Sequence, residues 1–339
     1  MTMNILENQP LANHTTMRLG GPAKYFVNVT NEDELIEAVK FAKNHNIDVI
    51  TIGDGSNIIF KDSGFDGMVI HFSIEDINID SLGNVSAMAG TNWDDLVNKT
   101  VEAGLYGIES LSLIPGTVGG APVNNIGAYG QEISQTIIGI RAYDTKNQVF
   151  TELLNEECQF NYRSSIFKTS LHGRFIITDV NLKLNSDINN FVPASYGSLQ
   201  SAISEQHIAK PTIKQVRNII CSIRESKLPD PSKIANSGSF FKNPIVPKAL
   251  CEGLLAAYPK MPYFENPYGY KLAAGWLIEK AGLKGYTKDG IRVYEKQALV
   301  LVNDGTNSFS SLENMYTYIQ EIVNEKFGVQ LEPEPEIIG

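Results

Sequence analysis

The spacing of hydrophobic residues predicts that helices and short strands alternate in the first half of the chain. Across residues 30–44 the apolar side chains recur every three or four positions, which is the period of an amphipathic helix, and Asn31 with Glu34 predicts its N-terminal cap. Short apolar runs that predict strands lie at 49–52, 58–60 and 68–70. This alternation favours a mixed helix and strand structure.

A second amphipathic helix is predicted over residues 91–103. Thr91 and Asp94 are spaced to cap its N-terminus, and Gly104 stands where a glycine commonly ends a helix in the left-handed conformation. Beyond residue 133 the sequence is rich in β-branched and aromatic residues, and strands are predicted at 137–143, 148–151 and 175–184.

The polar segment 185–190 is the expected boundary between two domains. Helix signals dominate after it, and residues 212–224 carry an apolar face with Thr212 and Gln215 as a capping box. Further helices are predicted at 271–281 and 310–327, and strands are predicted within 291–302. The predicted fold class is α+β in two parts.

The composition disfavours several classes of protein. Lys plus Arg number 28 and Asp plus Glu number 38, and the formal net charge of −10 argues against general binding of nucleic acid, which depends on neutralising phosphates. The three cysteines and five histidines lack the close spacing of a zinc site or a disulfide framework, so no metal is expected. The polar N-terminus is unlike a secretory signal, and no apolar run is long enough to span a bilayer, so a cytoplasmic protein without a membrane partner is expected.

A short glycine-containing segment follows the predicted strand at 49–52. It consists of Gly53, Asp54, Gly55, Ser56 and Asn57. It begins like a dinucleotide-binding fingerprint, but Ile58 occupies the place of the third glycine and a strand is predicted next instead of a helix. Backbone N–H groups in such a turn can still bind a diphosphate. An ordinary hairpin turn is the alternative interpretation.

A second segment, residues 114–130, contains five glycines and two prolines among small residues. Such a sequence packs a core poorly, but it lets the backbone lie against a flat ligand and bond to its edge. The alternative is a long loop without structure. Loops of this length in compact domains are usually functional or disordered, and the embedded apolar residues favour function.

Both segments belong to a set of motifs that resembles the UDP-N-acetylenolpyruvoylglucosamine reductase family, whose FAD-binding loops are of the vanillyl-alcohol-oxidase type. In the family's order, the matching segments are 53–57, 114–130, 161–168, 227–231, 238–244, 273–278, 297–303 and 331–334. The resemblance implies a two-part FAD-binding domain at 16–187 and a C-terminal α+β substrate-binding domain at 191–339. Neither glycine segment holds a His or Cys, so FAD is expected to be bound non-covalently.

The resemblance also implies the reaction. NADPH is the expected reductant of the flavin, and UDP-N-acetylglucosamine enolpyruvate is the expected substrate. Hydride transfer from reduced flavin to the enolpyruvyl methylene carbon, with a proton delivered to the alpha carbon, gives UDP-N-acetylmuramate, a precursor of peptidoglycan. A monomer is the default expectation because no oligomerisation motif is visible.

Three residues match the catalytic positions of the family. Arg163 matches the arginine that stabilises the carboxylate as it gains enolate charge, Ser239 matches the proton donor, and Glu334 matches the catalytic acid. Without the motifs, the arginine would be read as a surface ion pair, the serine as part of a turn and the glutamate as a solubilising tail residue.

The resemblance assigns further residues to binding. Cofactor contacts are expected from the segment at 53–57, from Arg163, and from Ile114, Pro115, Gly116, Gly119, Gly120, Val123, Gly127 and Ala128. Substrate contacts are expected from Tyr162, Tyr196, Lys227, Asn243 and Gln297. Two alternatives stay open: another FAD-dependent oxidase of the same superfamily, and a flavin or sugar-nucleotide binding module without turnover.

Overall fold

The structure is a computed structural model, and it describes residues 3–339. Its helices are α1 (Glu32–His45), α2 (Trp93–Glu102), α3 (Gly120–Val123), α4 (Gly197–Glu205), α5 (Ile213–Lys227), α6 (Lys248–Ala257), α7 (Ala274–Lys280) and α8 (Phe309–Phe327). The α+β class predicted from the sequence is confirmed, because these helices are interspersed with small, mostly antiparallel sheets.

The strands form several separate sheets. In the first part of the chain they are β1 (Ile5–Pro10), β2 (Pro22–Val29), β3 (Val49–Ile52), β4 (Ile58–Phe60), β5 (Phe65–Phe72), β6 (Ile77–Ile79), β7 (Asn84–Met88), β8 (Gly127–Ala128), β9 (Gln131–Glu132), β10 (Ile137–Asp144), β11 (Val149–Leu154) and β12 (Phe175–Lys183). After residue 226 they are β13 (Ala235–Ser239), β14 (Ile245–Val246), β15 (Tyr263–Asn266), β16 (Gly269–Leu272), β17 (Thr287–Lys288), β18 (Ile291–Val293), β19 (Val300–Asn303) and β20 (Glu336–Ile338).

The chain divides into two compact units. The N-terminal unit comprises residues 3–9, Ala23–Asp54 and Asp66–Ser226. The C-terminal unit comprises Pro10–Pro22, Gly55–Phe65 and Lys227–Gly339. These units are defined by packing contacts. Two short segments from early in the chain, Pro10–Pro22 and Gly55–Phe65, pack with the C-terminal unit. The functional domains expected at 16–187 and 191–339 stay a prediction.

The N-terminal unit is built around two sheets, with strand orders β1-β2-β5-β3 and β11-β10-β12-β7-β6. Helix α2 buries Trp93, Leu96 and Val97 in its core, and the indole N–H of Trp93 donates to the carbonyl of Leu111 at 2.9 Å. A buried tryptophan with a satisfied N–H is a strong anchor for the backbone around it. That backbone leads directly into the glycine-rich segment 114–130.

The C-terminal unit packs α8 over the sheet β13-β19-β18-β17. The buried face of α8 includes Leu312, Met315, Ile319 and Val323, which recur at the helical period. Two further sheets, the three-stranded β14-β16-β15 and the parallel pair β20-β4, belong to this unit.

The predicted caps of α1 and α5 are confirmed. The Asn31 side chain accepts from the N–H of Glu34 at 2.9 Å, while Glu34 accepts from the N–H of Thr30. At α5 the exchange is reciprocal, because Thr212 Oγ1 accepts from the N–H of Gln215 and the Gln215 amide oxygen accepts from the N–H of Thr212. These bonds satisfy N–H groups that the first turn of a helix leaves without partners.

The predicted cap of α2 is wrong. Asn92, not Thr91, caps the helix, since its side-chain oxygen accepts from the N–H groups of Asp94 and Asp95. The Thr91 hydroxyl instead bonds the backbone of Asp76. Gly104 does follow the helix with a left-handed φ of 75°, as predicted.

The start of the helix predicted at 271–281 is also wrong. Residues 269–272 form β16, in which Lys271 pairs with Ile245 on one side and Phe264 on the other, and α7 begins only at Ala274. Pairing on both sides outweighed the helical pattern of a short apolar run. The helix predicted at 310–327 is present, but Ser308 caps it.

Among residues 3–339, no helix is both long and apolar enough to cross a membrane. The same residues contain no group of three or more His, Cys, Asp and Glu side chains that could hold a metal ion. Cys158, Cys221 and Cys251 are all free thiols.

Candidate active site

Within the N-terminal unit, Gly53 at the start of the first glycine segment packs against the second glycine segment. A Cβ built on Gly53 would lie 2.2 Å from Oγ1 of Thr117, so any side chain at 53 would push the segments apart. Gly55 has a φ of 63°, and a Cβ there would lie 2.0 Å from the carbonyl oxygen of His14, within the C-terminal unit. Both glycines are required by close approach, as the interpretation of a backbone-lined ligand site needs.

Backbone hydrogen bonds hold the glycine-rich segment 114–130 against the residues that follow β7. The N–H of Val118 donates to the carbonyl of Thr91 at 2.8 Å, and that of Gly119 donates to the carbonyl of Ala89 at 2.9 Å. A Cβ on Gly119 would lie 2.6 Å from the Cβ of Ala89. The segment is thus ordered rather than a structureless loop, and it even contains the short helix α3.

The second half of the segment forms a tight hairpin. Gly127 and Ala128 pair with Glu132 and Gln131. The side-chain amide of Asn125 donates to the Glu132 carboxylate and to the carbonyl of Asn161, both at 3.0 Å. The second bond connects the glycine-rich segment to the motif that carries the predicted catalytic arginine.

Arg163 lies directly on this hairpin. Its Nη2 donates to the carbonyl oxygen of Gly127 at 2.7 Å, and a Cβ on Gly127 would approach Nη1 to 3.2 Å. Arg163 has a φ of 51°, a conformation that non-glycine residues seldom adopt, and its guanidinium lies 5.4 Å from the centre of the Tyr162 ring. The structure therefore places Gly127, which is predicted to bind the cofactor, against the arginine that is predicted to act in catalysis.

Two side chains after Arg163 fix its turn in place. Ser165 is buried and its hydroxyl donates to the carbonyl of Val123 at 2.7 Å, while the Lys168 ammonium donates to the side-chain oxygen of Asn124 at 2.7 Å. Sequence reasoning assigned these two residues no role. Their only signal was their place in the matching segment 161–168, since the partners lie some forty residues earlier in the chain.

Tyr196 immediately precedes α4 and is exposed. Its ring lies edge-on to that of Tyr129, with centroids 5.5 Å apart. The predicted substrate tyrosine thus contacts the far end of the glycine-rich segment.

In the C-terminal unit, Ser239 ends β13, where it pairs with Val300 of β19. The preceding turn is set by Asn236, whose side-chain oxygen accepts from the N–H of Gly238 at 2.8 Å, and Gly238 has a φ of 70°. Phe240 and Phe241, which follow, are fully buried. The serine is therefore held between a specified turn and a buried aromatic pair.

Glu334 lies beside this strand end. Its N–H donates to the carbonyl of Phe240 at 2.8 Å, Phe241 pairs with Pro333, and the N–H of Lys242 donates to the carbonyl of Glu332 at 2.9 Å. The structure thus brings Ser239 and Glu334, which are far apart in sequence, to neighbouring positions on two paired segments.

Two of the predicted substrate residues meet at α7. The side-chain oxygen of Asn243 accepts from the N–H of Ala274 at 3.0 Å, and a Cβ on Gly275 would lie 2.9 Å from the side-chain oxygen of Gln297. Lys227, the last residue of α5, is exposed. Their roles in binding stay predictions.

Comparison with known proteins follows the same division of the chain. Residues 230–338 match the C-terminal domain model of UDP-N-acetylenolpyruvoylglucosamine reductase, and residues 23–151 match an FAD binding domain model. A reductase of that name from Ralstonia nicotianae is 40% identical over 337 residues, 97% of this chain and 98% of its own length. Another from Amoebophilus asiaticus is 40% identical over 344 residues, 99% of this chain and 100% of its own.

The fold agrees as well. The crystal structure of UDP-N-acetylenolpyruvylglucosamine reductase from Thermus caldophilus superposes with a TM-score of 0.70 at 24% identity, with all of both chains covered. Near-full-length identity of this size confirms the resemblance drawn from the motifs, and the chain belongs to the UDP-N-acetylenolpyruvoylglucosamine reductase family.

Proposed function

We propose that this protein reduces UDP-N-acetylglucosamine enolpyruvate to UDP-N-acetylmuramate with NADPH, using non-covalently bound FAD. One observation carries the proposal beyond family membership: Arg163 is hydrogen-bonded to Gly127 within the glycine-rich segment. The guanidinium of Arg163 is suited to the substrate's carboxylate, and the backbone around Gly127 is suited to the flavin. The hydrogen bond joins these two groups in one local structure.

The glycine segments fit FAD, because Gly53, Gly55 and Gly119 are required by close packing, and backbone with so few bulky side chains can approach a flat, diphosphate-bearing ligand. When bound, FAD supplies the hydride, and the protein supplies binding, orientation and electrostatics. The residues proposed to hold it are those of the segments 53–57 and 114–130, together with Arg163.

Arg163 is proposed to stabilise the substrate carboxylate as the adjacent carbon gains negative charge. A planar guanidinium can donate two parallel hydrogen bonds to a carboxylate while a third N–H stays engaged elsewhere. In this protein the engaged N–H is that of Arg163 Nη2, which donates to the carbonyl oxygen of Gly127. Because that bond fixes the plane of the group, less reorganisation is needed when charge develops.

Ser239 is proposed to give the proton to the alpha carbon, and Glu334 to act as the acid that helps to polarise the enolpyruvyl group. Their positions on paired segments support the pairing of roles. Tyr162, Tyr196, Lys227, Asn243 and Gln297 are proposed to bind the sugar nucleotide, with the lysine as a point charge for the diphosphate and the others as directional hydrogen-bonding groups.

The proposal is tested by following each half-reaction separately in the stopped flow. Ser239→Ala should leave reduction of the flavin by NADPH near the wild-type rate, because no proton goes to the substrate in that step. Reoxidation by the enolpyruvyl sugar nucleotide should slow by ~100–10,000-fold, the usual contribution of a positioned proton donor.

Equal slowing of both half-reactions removes Ser239 from proton transfer. A yellow protein that NADPH does not reduce favours the superfamily-oxidase alternative. Reduction without any response to the sugar nucleotide favours the binding-module alternative. A monomeric, cytoplasmic enzyme is part of the proposal, and the free cysteines are compatible with a reducing compartment.

A further inference from the structure

The residue before the glycine-rich segment is held from two directions. Leu113 has a φ of 55°, which is strained for a bulky side chain. Its N–H donates to Oδ1 of Asp94 at 2.6 Å, and its carbonyl accepts from Nη2 of Arg224 at 3.1 Å. Asp94 is bound in turn by both terminal nitrogens of Arg217, at 2.7 and 2.8 Å. Charged groups therefore fix the turn that leads into residues 114–130.

Both arginines project from one face of α5. Arg217 and Arg224 are seven residues apart, which is close to two helical turns. Helix α5 is anchored in the core by Val216, Ile219 and Ile220. The two cations thus have a rigid base, which side chains on a loop would lack.

Arg224 also reaches the far end of the glycine-rich segment. Its guanidinium interacts electrostatically with the hydroxyl of Tyr129, whose own φ of 49° is left-handed. Burial raises the pKa of the Tyr129 hydroxyl, so this group is neutral at physiological pH. The ring of Tyr129 is the one that contacts Tyr196. One guanidinium therefore contacts a residue at each end of the segment.

We propose that Arg224 is a positioning residue, which ties the two ends of the glycine-rich segment together and, through Tyr129, fixes the place of Tyr196. The inference rests on the proposed function for what the segment and Tyr196 bind. A segment with five glycines has much conformational freedom to lose on binding a ligand. Fixing the segment in its binding conformation before the ligand arrives lowers the entropic cost of binding and improves affinity for a flat ligand.

The test compares Arg224→Gln, which removes the bond to Leu113 and the interaction with Tyr129, with Tyr129→Phe, which removes only the interaction at Tyr129. Full-length apoprotein is titrated with FAD, and flavin fluorescence reports the Kd. We expect the Kd to rise about tenfold or more for R224Q and about threefold for Y129F, as the loss of charge-assisted hydrogen bonds implies. Arg224→Lys keeps the charge and should recover part of the loss.

Arg174→Gln is the matched control. It breaks an arginine–carboxylate pair with Asp144 in the same unit, away from the glycine-rich segment, at 2.7 Å. R174Q should lower the melting temperature without changing the FAD Kd. If R224Q lowers only the melting temperature, as the control does, Arg224 is merely structural and the proposal is overturned.

Hydrogen exchange supplies a readout that needs no flavin. Backbone amides of residues 114–130 should exchange severalfold faster in the R224Q apoprotein than in the wild type, and at the wild-type rate in R174Q. Equal exchange in the two variants overturns the positioning role. Wild-type protein that binds FAD but does not oxidise NADPH in response to the sugar nucleotide instead refutes the proposed function, and the exchange measurement still decides the role of Arg224.

Discussion

The surroundings of Arg163 and the surroundings of Glu334 are built in different ways. Arg163 is held by side chains: its own bond to Gly127, and those of Ser165 and Lys168 to the segment opposite. Glu334 is held by its backbone, which pairs with residues 240–242. In the first region a side-chain bond of Arg163 itself maintains the geometry, and in the second the paired backbone does.

This difference predicts how substitutions in the two regions will behave. Replacing a side chain near Arg163 removes a structural bond together with any chemical role. Replacing the side chain of Glu334 leaves the paired backbone intact. Stability and activity are therefore expected to fall together in the first region, whereas in the second region the paired backbone limits the loss of stability.

The largest effect is expected at Arg163. Arg163→Met removes both the bond to Gly127 and the cation, and the rate of flavin reoxidation by the sugar nucleotide should fall by roughly 1,000-fold, as for the loss of a preorganised charge-stabilising donor. Free energies of unfolding from urea titration should fall by about 1 kcal/mol. Lys233→Met, which changes an exposed cation, serves as control. Unchanged reoxidation excludes Arg163 from the mechanism.

Glu334→Gln should give a smaller kinetic effect and a smaller change in stability than Arg163→Met. We expect reoxidation to slow by about 100-fold, because the amide cannot act as an acid toward the enolpyruvyl group. The urea midpoint should lie closer to the wild-type value than that of Arg163→Met, since the N–H of residue 334 still bonds to Phe240. A marked loss of stability here contradicts the contrast between the two regions, whatever the kinetic result.

The smallest effect is expected from Ser165→Ala. This change removes the buried bond to Val123 while leaving Arg163 in place, and it should cost about 1 kcal/mol of unfolding free energy. The Kd for FAD should rise by no more than severalfold. Ser226→Ala, which removes a serine bond on the exposed part of α5, is the control and should change neither quantity. A wild-type stability for S165A shows that the turn around Arg163 is held by other contacts.

Local signals in the sequence predicted much of the fold. The capping residues of α1 and α5 and the glycine after α2 act within a few residues, so their effects could be read directly. The predictions were wrong where contacts with distant residues competed with the local preference of the sequence. The Thr91 hydroxyl is engaged by Asp76, and strand pairing took Lys271 from the predicted helix.

The candidate site was predictable only through its motifs. Arg163, Ser239 and Glu334 were identified by resemblance, and no periodicity indicated that residues 332–334 pair with 240–242. Register between distant segments depends on the whole fold rather than on local preference. Arg224 escaped prediction for the same reason, since its partners lie on segments more than ninety residues away.

The pairing of β20 with β4 has a consequence for biosynthesis. Strand β4 is made early, yet its parallel partner at Glu336–Ile338 emerges only when translation has passed residue 338. Until then the nascent polypeptide presents an open strand edge at 58–60 and lacks the segment that carries Glu334. Ribosome-bound intermediates are thus expected to be inactive and prone to aggregate, with their N-terminal unit already folded.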